Sequence, residues 1–213
     1  MNSNVEYWDE IYKSKKNKKP DYDLWLNKYI NILNTSKNDV ILDLGCGSGG
    51  DTLYLHERNY KVLSCDYSEK ALEIVEKYIP DANILKVDIA NKLPFQNDSF
   101  KVIIADLSLH YFNMETTKNI ILELERVLTI NGYLLLRLNS INDVNYGAGE
   151  GQEIEKHFYL GNTGYKRFFD EKDIREFFAY WEFISIKEEN IIRYGSNKKL
   201  YEVVLKNKEG KNE

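Results

Sequence analysis

The sequence predicts a doubly wound α/β fold, and three observations carry that reading. Five short runs, 40–44, 61–65, 83–87, 101–105 and 133–138, are near-continuously apolar. Strands covered on both faces, as in a parallel sheet, need such composition. Segments with helical spacing separate the runs over short connections, which favours right-handed crossovers between parallel strands. Two further extended runs, 182–192 and 199–205, follow with only a Gly-Ser-Asn turn between them, too short for a helix. They are expected to pair antiparallel, as a C-terminal hairpin.

Along the chain, about 38 residues precede the first strand and predict one or two helices, including 22–33. The lysine-rich stretch 13–19 ends at Pro20 and reads as a solvated, mobile loop between helices rather than a nucleic-acid patch. After the second strand, Ala71, Leu72, Val75, Tyr78 and Ile79 form one helical stripe, with Ser68 as N-cap and Pro80 as stop. Ile120, Ile121, Leu124, Val127 and Leu128 form another, expected to end at Asn131-Gly132. Ile174, Phe177, Phe178 and Trp181 form a third, capped by Asp170. Residues 206–213 read as a frayed charged tail.

Composition narrows the class of protein. The 213 residues suit one domain, spanning 1–213, and can bury a core without a disulfide or metal staple. Apolar residues make up 43% and charged residues 30%, as in an ordinary soluble globular protein. Cys46 and Cys65 cannot form a disulfide framework, and residues 1–9 carry no apolar leader, so a cytoplasmic location is expected. No uncharged apolar stretch reaches the ~18 residues of a membrane span. The net charge of -5 argues against a general nucleic-acid partner.

The glycines Gly45, Gly47, Gly49 and Gly50 stand directly between a strand and a helix, where the chain must turn tightly and a ligand must approach the backbone. Gly45, Gly47 and Gly50 also satisfy the dinucleotide pattern G-x-G-x-x-G, a weak match by itself. The acids strengthen the signal. Asp43 lies two residues before Gly45. Asp66 ends the second strand, where a carboxylate can take both hydroxyls of a ribose. Asp88 ends the third strand and can meet an adenine amino group, with Ile89 against the ring. Ligands of such sheets sit at the carboxyl edge, so acids ending successive strands form a constellation.

The run from Asp43 to Gly49, then Asp66, then Asp88 with Leu93-Pro-Phe and Asp98-Ser-Phe100, resembles the class I S-adenosylmethionine-dependent methyltransferases. So does 125–132 leading into a strand, and the resemblance covers nearly the whole chain. It implies a Rossmann-like, seven-stranded, mostly parallel sheet with an antiparallel C-terminal strand, and S-adenosylmethionine as cofactor. Asp43, Gly45, Gly47 and Gly49, with Cys46 and Ser48 among them, would surround the cofactor's amino-acid part. Asp66 with Tyr67 would hold the ribose, Asp88 and Ile89 the adenine, and Asp106 and Leu107 the methionine end. A nicotinamide-dependent oxidoreductase and a non-catalytic cofactor-binding module are the alternatives. Asp43 disfavours the first, since a carboxylate there suits an ammonium and a sulfonium and repels a pyrophosphate.

Methyl transfer asks mainly for alignment of donor and acceptor, with a base only for an acceptor that enters protonated. His110, in the segment after the fourth strand, is the candidate base, and Tyr111 a candidate substrate contact. That segment lacks the Asp- or Asn-Pro-Pro-aromatic motif of adenine and cytosine amino-methylating enzymes. No cysteine stands where a cytosine-C5 enzyme needs its nucleophile. A small-molecule acceptor is therefore expected. Tyr12, in an aromatic N-terminal cluster, is expected to contact the cofactor by cation–π attraction. Residues 139–181 are too long for a plain connector and predict a mobile cap, with Tyr165 and Arg167 as substrate candidates. The stretch from Phe168 to Phe183 resembles the tellurite-resistance-like branch of the class. The histidines and carboxylates show no metal-ligand spacing, and no metal is expected.

Overall fold

The computed structural model describes residues 3–193 and 195–208. Helix α1 (Ser3–Lys15) opens the chain, and 3-10 turns flank the short α2 (Ile30–Leu33). Then follow β1 (Val40–Leu44), α3 (Gly50–His56), β2 (Lys61–Asp66), α4 (Glu69–Tyr78), β3 (Asn83–Lys86), β4 (Phe100–Asp106), α5 (Met114–Val127) and β5 (Leu128–Asn139). A smaller unit comprises β6 (Gln152–Glu155), β7 (Phe158–Gly161) and β8 (Gly164–Arg167). Helix α6 (Glu171–Phe177) leads to β9 (Glu182–Arg193) and β10 (Ser196–Lys206).

The main sheet has seven strands in the order β3-β2-β1-β4-β5-β10-β9. Strands β1 to β5 pair in parallel, and β10 runs antiparallel to both of its neighbours, as the hairpin pattern predicts. Side chains alternate between the two faces. Leu42, Leu44, Ile103, Leu134 and Leu136 pack with Ile121 and Leu124 of α5 and Ile174 of α6. Ile41, Val102, Ile104 and Leu135 pack on the opposite side with Trp25, Leu33 and Tyr54. The direction of winding reverses between β1 and β4, which opens a crevice outside their carboxyl ends.

The caps follow local chemistry. The Ser68 side chain accepts from the Ala71 amide at 3.2 Å, and Asp170 forms a capping box with Asp173. Several boundaries differ from the sequence reading. Lys13 and Lys15 form the last turn of α1 rather than a loop. The second helical segment before β1 begins at Trp25, not at residue 22. Trp181 lies beyond the end of α6.

Helix α5 stops at Val127, and Asn131-Gly132 is a turn inside β5. Its final carbonyls are satisfied from far along the chain, where the Asn207 amide donates to Leu128 O at 2.9 Å and Glu125 O at 3.2 Å. Ser196 and Asn197 already belong to β10, so the hairpin turn is tighter than expected. Tyr194 of that turn and residues 209–213 of the expected tail lie outside the described residues. Among the described residues, no helix is long and apolar enough to cross a membrane.

Candidate cofactor and acceptor site

The glycine loop sits at the mouth of the crevice. Gly45, Gly47 and Gly49 have φ of 78°, 54° and 91°, in the left-handed region that only glycine enters freely. Gly50 does not, although the dinucleotide pattern would place its third glycine there. Space is as restrictive as conformation. A Cβ on Gly45 would stand 2.3 Å from the Ser108 Cβ, and one on Gly47 would stand 2.8 Å from the Tyr12 hydroxyl. Helix α1 is thus laid against the loop, with Tyr12 stacked on Trp8 at 5.6 Å between ring centroids. The Ser68 hydroxyl donates to Asp9, which fixes α1 to the start of α4.

Acids surround this cradle. Asp43 is buried on β1 and accepts a 2.6 Å hydrogen bond from the Thr52 hydroxyl. Burial raises its pKa to about 7, with the charges of Asp106 and Asp66 adding to the shift and the Thr52 hydroxyl opposing it. Asp66 accepts the Gly47 N–H at 2.9 Å and the Ser68 N–H at 2.8 Å, so one carboxylate shapes both the loop and the next helix start. Burial raises its pKa as well, against the pull of those backbone donors. Asp88 accepts the Ala90 N–H at 3.0 Å and the Asn91 side chain at 2.9 Å, beside the partly buried Ile89. Tyr67 is exposed, with the Lys86 ammonium 5.6 Å from its ring. Cys46 and Ser48 are half-buried within the loop.

Asp106 has a different environment from the one expected. Arg137 grips both of its oxygens at 2.6 Å and also holds Asp23 at 2.6 Å. Burial would raise the Asp106 carboxyl, but the charge and hydrogen bonds of Arg137, with the charges of Arg193 and Lys198, together outweigh it and hold the carboxyl below its ordinary range. Leu107 follows with φ 51°, and Ser108 donates to Leu44 O at 2.9 Å, so the segment after β4 is pinned under the loop.

Beyond it lies His110, 4% exposed, with no hydrogen-bond partner for Nδ1 among the described residues. Burial, then the charges of Lys198, Lys166 and Arg193, hold its pKa well below the ordinary 6.5, so the ring is neutral. Its ring centroid is 4.1 Å from that of Tyr111, which meets Trp8 edge-on at 6.2 Å.

Tyr165 stacks on Phe158 at 5.4 Å. Arg167 is committed elsewhere than the sequence reading placed it. It pairs with Glu155 at 2.5 Å and donates to Phe112 O and Lys156 O, between the rings of Phe158 and Phe177. All three of its guanidinium nitrogens thus donate within the fold. His157, Asp170 and Asp173 bring potential metal-ligand atoms within 4.8 Å of one another, a grouping the spacing did not reveal. Asp173 there accepts from Lys156 at 2.5 Å and contacts His157 Nδ1 at 2.6 Å, which ties the β6–β7 turn to α6.

Thr52, Ser108, Lys166 and Lys198 were not singled out from the sequence. Only Ser108 had a local signal, as a small polar residue just after a strand-terminal acid.

Residues 41–132 match the model of the methyltransferase domain family. A methyltransferase homologue from Dictyostelium discoideum is 29% identical over 149 residues, covering 70% of this chain and 55% of that protein. The S-adenosyl-L-methionine-dependent methyltransferase TehB of Haemophilus influenzae is 26% identical over 153 residues, covering 70% and 48%. The chain spans about half the length of the curated relatives it matches. Among solved structures, a SAM-dependent methyltransferase from Methanosarcina mazei superimposes with a TM-score of 0.72 at 20% identity, covering 88% of this chain and 99% of that one. Over residues 41–132 the chain is similar to the methyltransferase domain family, and its fold is that of the class I S-adenosylmethionine-dependent methyltransferases. S-adenosylmethionine is the cofactor of that family, and the loop with its left-handed glycines and flanking acids fits it.

Proposed function

We propose that the protein transfers a methyl group from S-adenosylmethionine to a small-molecule acceptor. The observation that carries this reading is the acid-lined glycine loop. Among the described residues, the charges acting most strongly on Asp43 are the carboxylates of Asp106 and Asp66, not cations. Such a pocket favours a ligand bearing an ammonium and a sulfonium and disfavours a pyrophosphate. When bound, the sulfonium supplies an already activated methyl group, so the chain has mainly to align and desolvate the two partners.

In this reading Asp66 accepts from the ribose hydroxyls through its remaining lone pairs, and Asp88 and Ile89 flank the adenine. Asp43 and the loop N–H groups hold the amino-acid end, and Tyr12 closes over it from α1. Asp106 acts through Arg137 as a positioning residue for the segment 107–110. His110, neutral and with Nδ1 uncommitted, hydrogen-bonds the acceptor and takes its proton where it has one to lose. Residues 139–181 cap the acceptor side of the same domain, with β8 beside α1. A structure of 1,6-didemethyltoxoflavin-N1-methyltransferase from Burkholderia thailandensis, with its small substrate and S-adenosylhomocysteine, has a TM-score of 0.66 at 14% identity, covering 96% of this chain and 88% of that one. It supports a small acceptor by fold alone.

The test is incubation with methyl-labelled cofactor and separated cell fractions. Label is expected in a low-molecular-weight fraction. Label confined to nucleic acid or protein contradicts the acceptor class, and no labelled product in any fraction favours a cofactor-binding module. For His110, the His110→Ala variant should lose at least about tenfold in kcat, in line with general-base contributions. Its affinity for S-adenosylhomocysteine should stay within about twofold, and unchanged turnover removes the residue from the chemistry.

A further inference from the structure

Resting on the methyl-transfer reading, we propose that the acceptor is an anion, and that its negative group is held by Lys166 beside His110. Lys166 lies on β8, where successive side chains point to opposite faces. Its neighbours Tyr165 and Arg167 turn toward Phe158, so Lys166 faces the other way. It is partly buried there, and lysines are seldom buried without a partner. Among the described residues no carboxylate lies within ion-pair distance of its ammonium.

The acids that act on Lys166 are Asp143 and Glu150. Asp143 is already taken, by Lys198 Nζ at 2.6 Å and the Lys199 N–H at 3.0 Å, while Glu150 is exposed. The local acid is therefore committed to Lys198, which Asn139 also holds at 2.8 Å. Lys166 is left as a partly buried positive charge without an ion-pair partner among the described residues.

His110 is the second, independent observation. Its carbonyl accepts the Arg167 N–H at 2.7 Å, which fixes β8 and Lys166 against the segment after β4. Its Nδ1 is buried without a partner among the described residues, at the point where the charges of Lys198, Lys166 and Arg193 converge. Arg193 approaches from β9, with Nη1 3.9 Å from Asp106, so the cluster adjoins the cofactor edge. A carboxylate, phosphate or other oxyanion on the acceptor would neutralise Lys166 through a charge-assisted hydrogen bond, with the acceptor's reacting group beside His110 Nδ1. This cluster is acceptor-side chemistry, because the cofactor's own cradle is acidic.

Inorganic sulfate is the probe, since it is small enough to enter without matching the rest of the acceptor. Sulfate titrated by calorimetry into the full chain saturated with S-adenosylhomocysteine should bind saturably. The Lys166→Met variant should weaken it at least tenfold, and the Lys118→Met variant, on an exposed position of α5, should leave it unchanged. In the unsubstituted protein the His110 ring resonances should shift along the same binding curve. No saturable sulfate binding, equal affinity in Lys166→Met, or an unmoved His110 overturns the proposal. The same cell measures S-adenosylhomocysteine. Were that nucleoside not to bind, the methyl-transfer reading would fail, while sulfate binding to the nucleoside-free chain would still report on the anion site.

Discussion

Asp43 sets a conflict between stability and binding at a single residue. Its carboxyl is 1% exposed, and its pKa is raised from an ordinary 3.8 to about 7. A carboxyl raised on folding contributes stability that is fully present below pH 3.8 and is lost as pH rises through about 7. Asp43→Asn should therefore be more stable than the unsubstituted chain above pH 7 and indistinguishable from it near pH 4, measured by urea unfolding without ligand. The same substitution should weaken S-adenosylhomocysteine binding and flatten its decline below pH 7. A stability difference that does not change with pH contradicts the assignment.

Asp66 carries a second expectation at this scale. It holds Gly47 and Ser68 and would hold the ribose, each a hydrogen bond to a charged acceptor of about 1.5–3 kcal/mol. Asp66→Ala should cost at least about tenfold in nucleoside affinity, and unchanged affinity by calorimetry would refute the ribose role. Asp66 was legible in the sequence because a strand end fixes where an acid must point. Lys166 and His110 were not legible as a pair, because only the docking of β8 on the segment after β4 brings them together.

Between elements, Arg137 is the central tie. It joins β5 to the end of β4 through Asp106 and to the N-terminal segment through Asp23, with its guanidinium 4.7 Å from the Trp25 ring. Removing one partner of a buried pair strands the other charge, at a cost of about 3–5 kcal/mol. Arg137→Met should lose stability of that order in denaturant unfolding, and a loss below about 1 kcal/mol contradicts a load on this pair. Strand identities were readable because burial on both faces demands continuous apolar sequence, and β1 has the predicted bounds. The end of α5 was not readable. Its cap comes from Asn207, 79 residues beyond Leu128, and Asn131 with φ 64° turns the chain within a strand rather than after a helix.

For the molecule as a whole, net charge says less than its placement. The excess of acid, -5 overall, includes Asp43 and Asp66 at the glycine loop, while the charges of Lys166, Lys198 and Arg193 act on His110. A cationic cofactor and an anionic acceptor would each meet the opposite charge, a division that pI alone conceals. The fold and the glycine loop with its flanking acids were legible because both follow from strand ends and glycine placement. The acceptor half depends on where the 139–181 segment folds back, which periodicity does not encode. The central claim is the identity of the ligand at the glycine loop. Calorimetric titration of the full chain with S-adenosylhomocysteine and, separately, with NAD tests it most directly. Saturable binding of the sulfur nucleoside without binding of NAD is expected, and binding of NAD without the nucleoside would contradict the account.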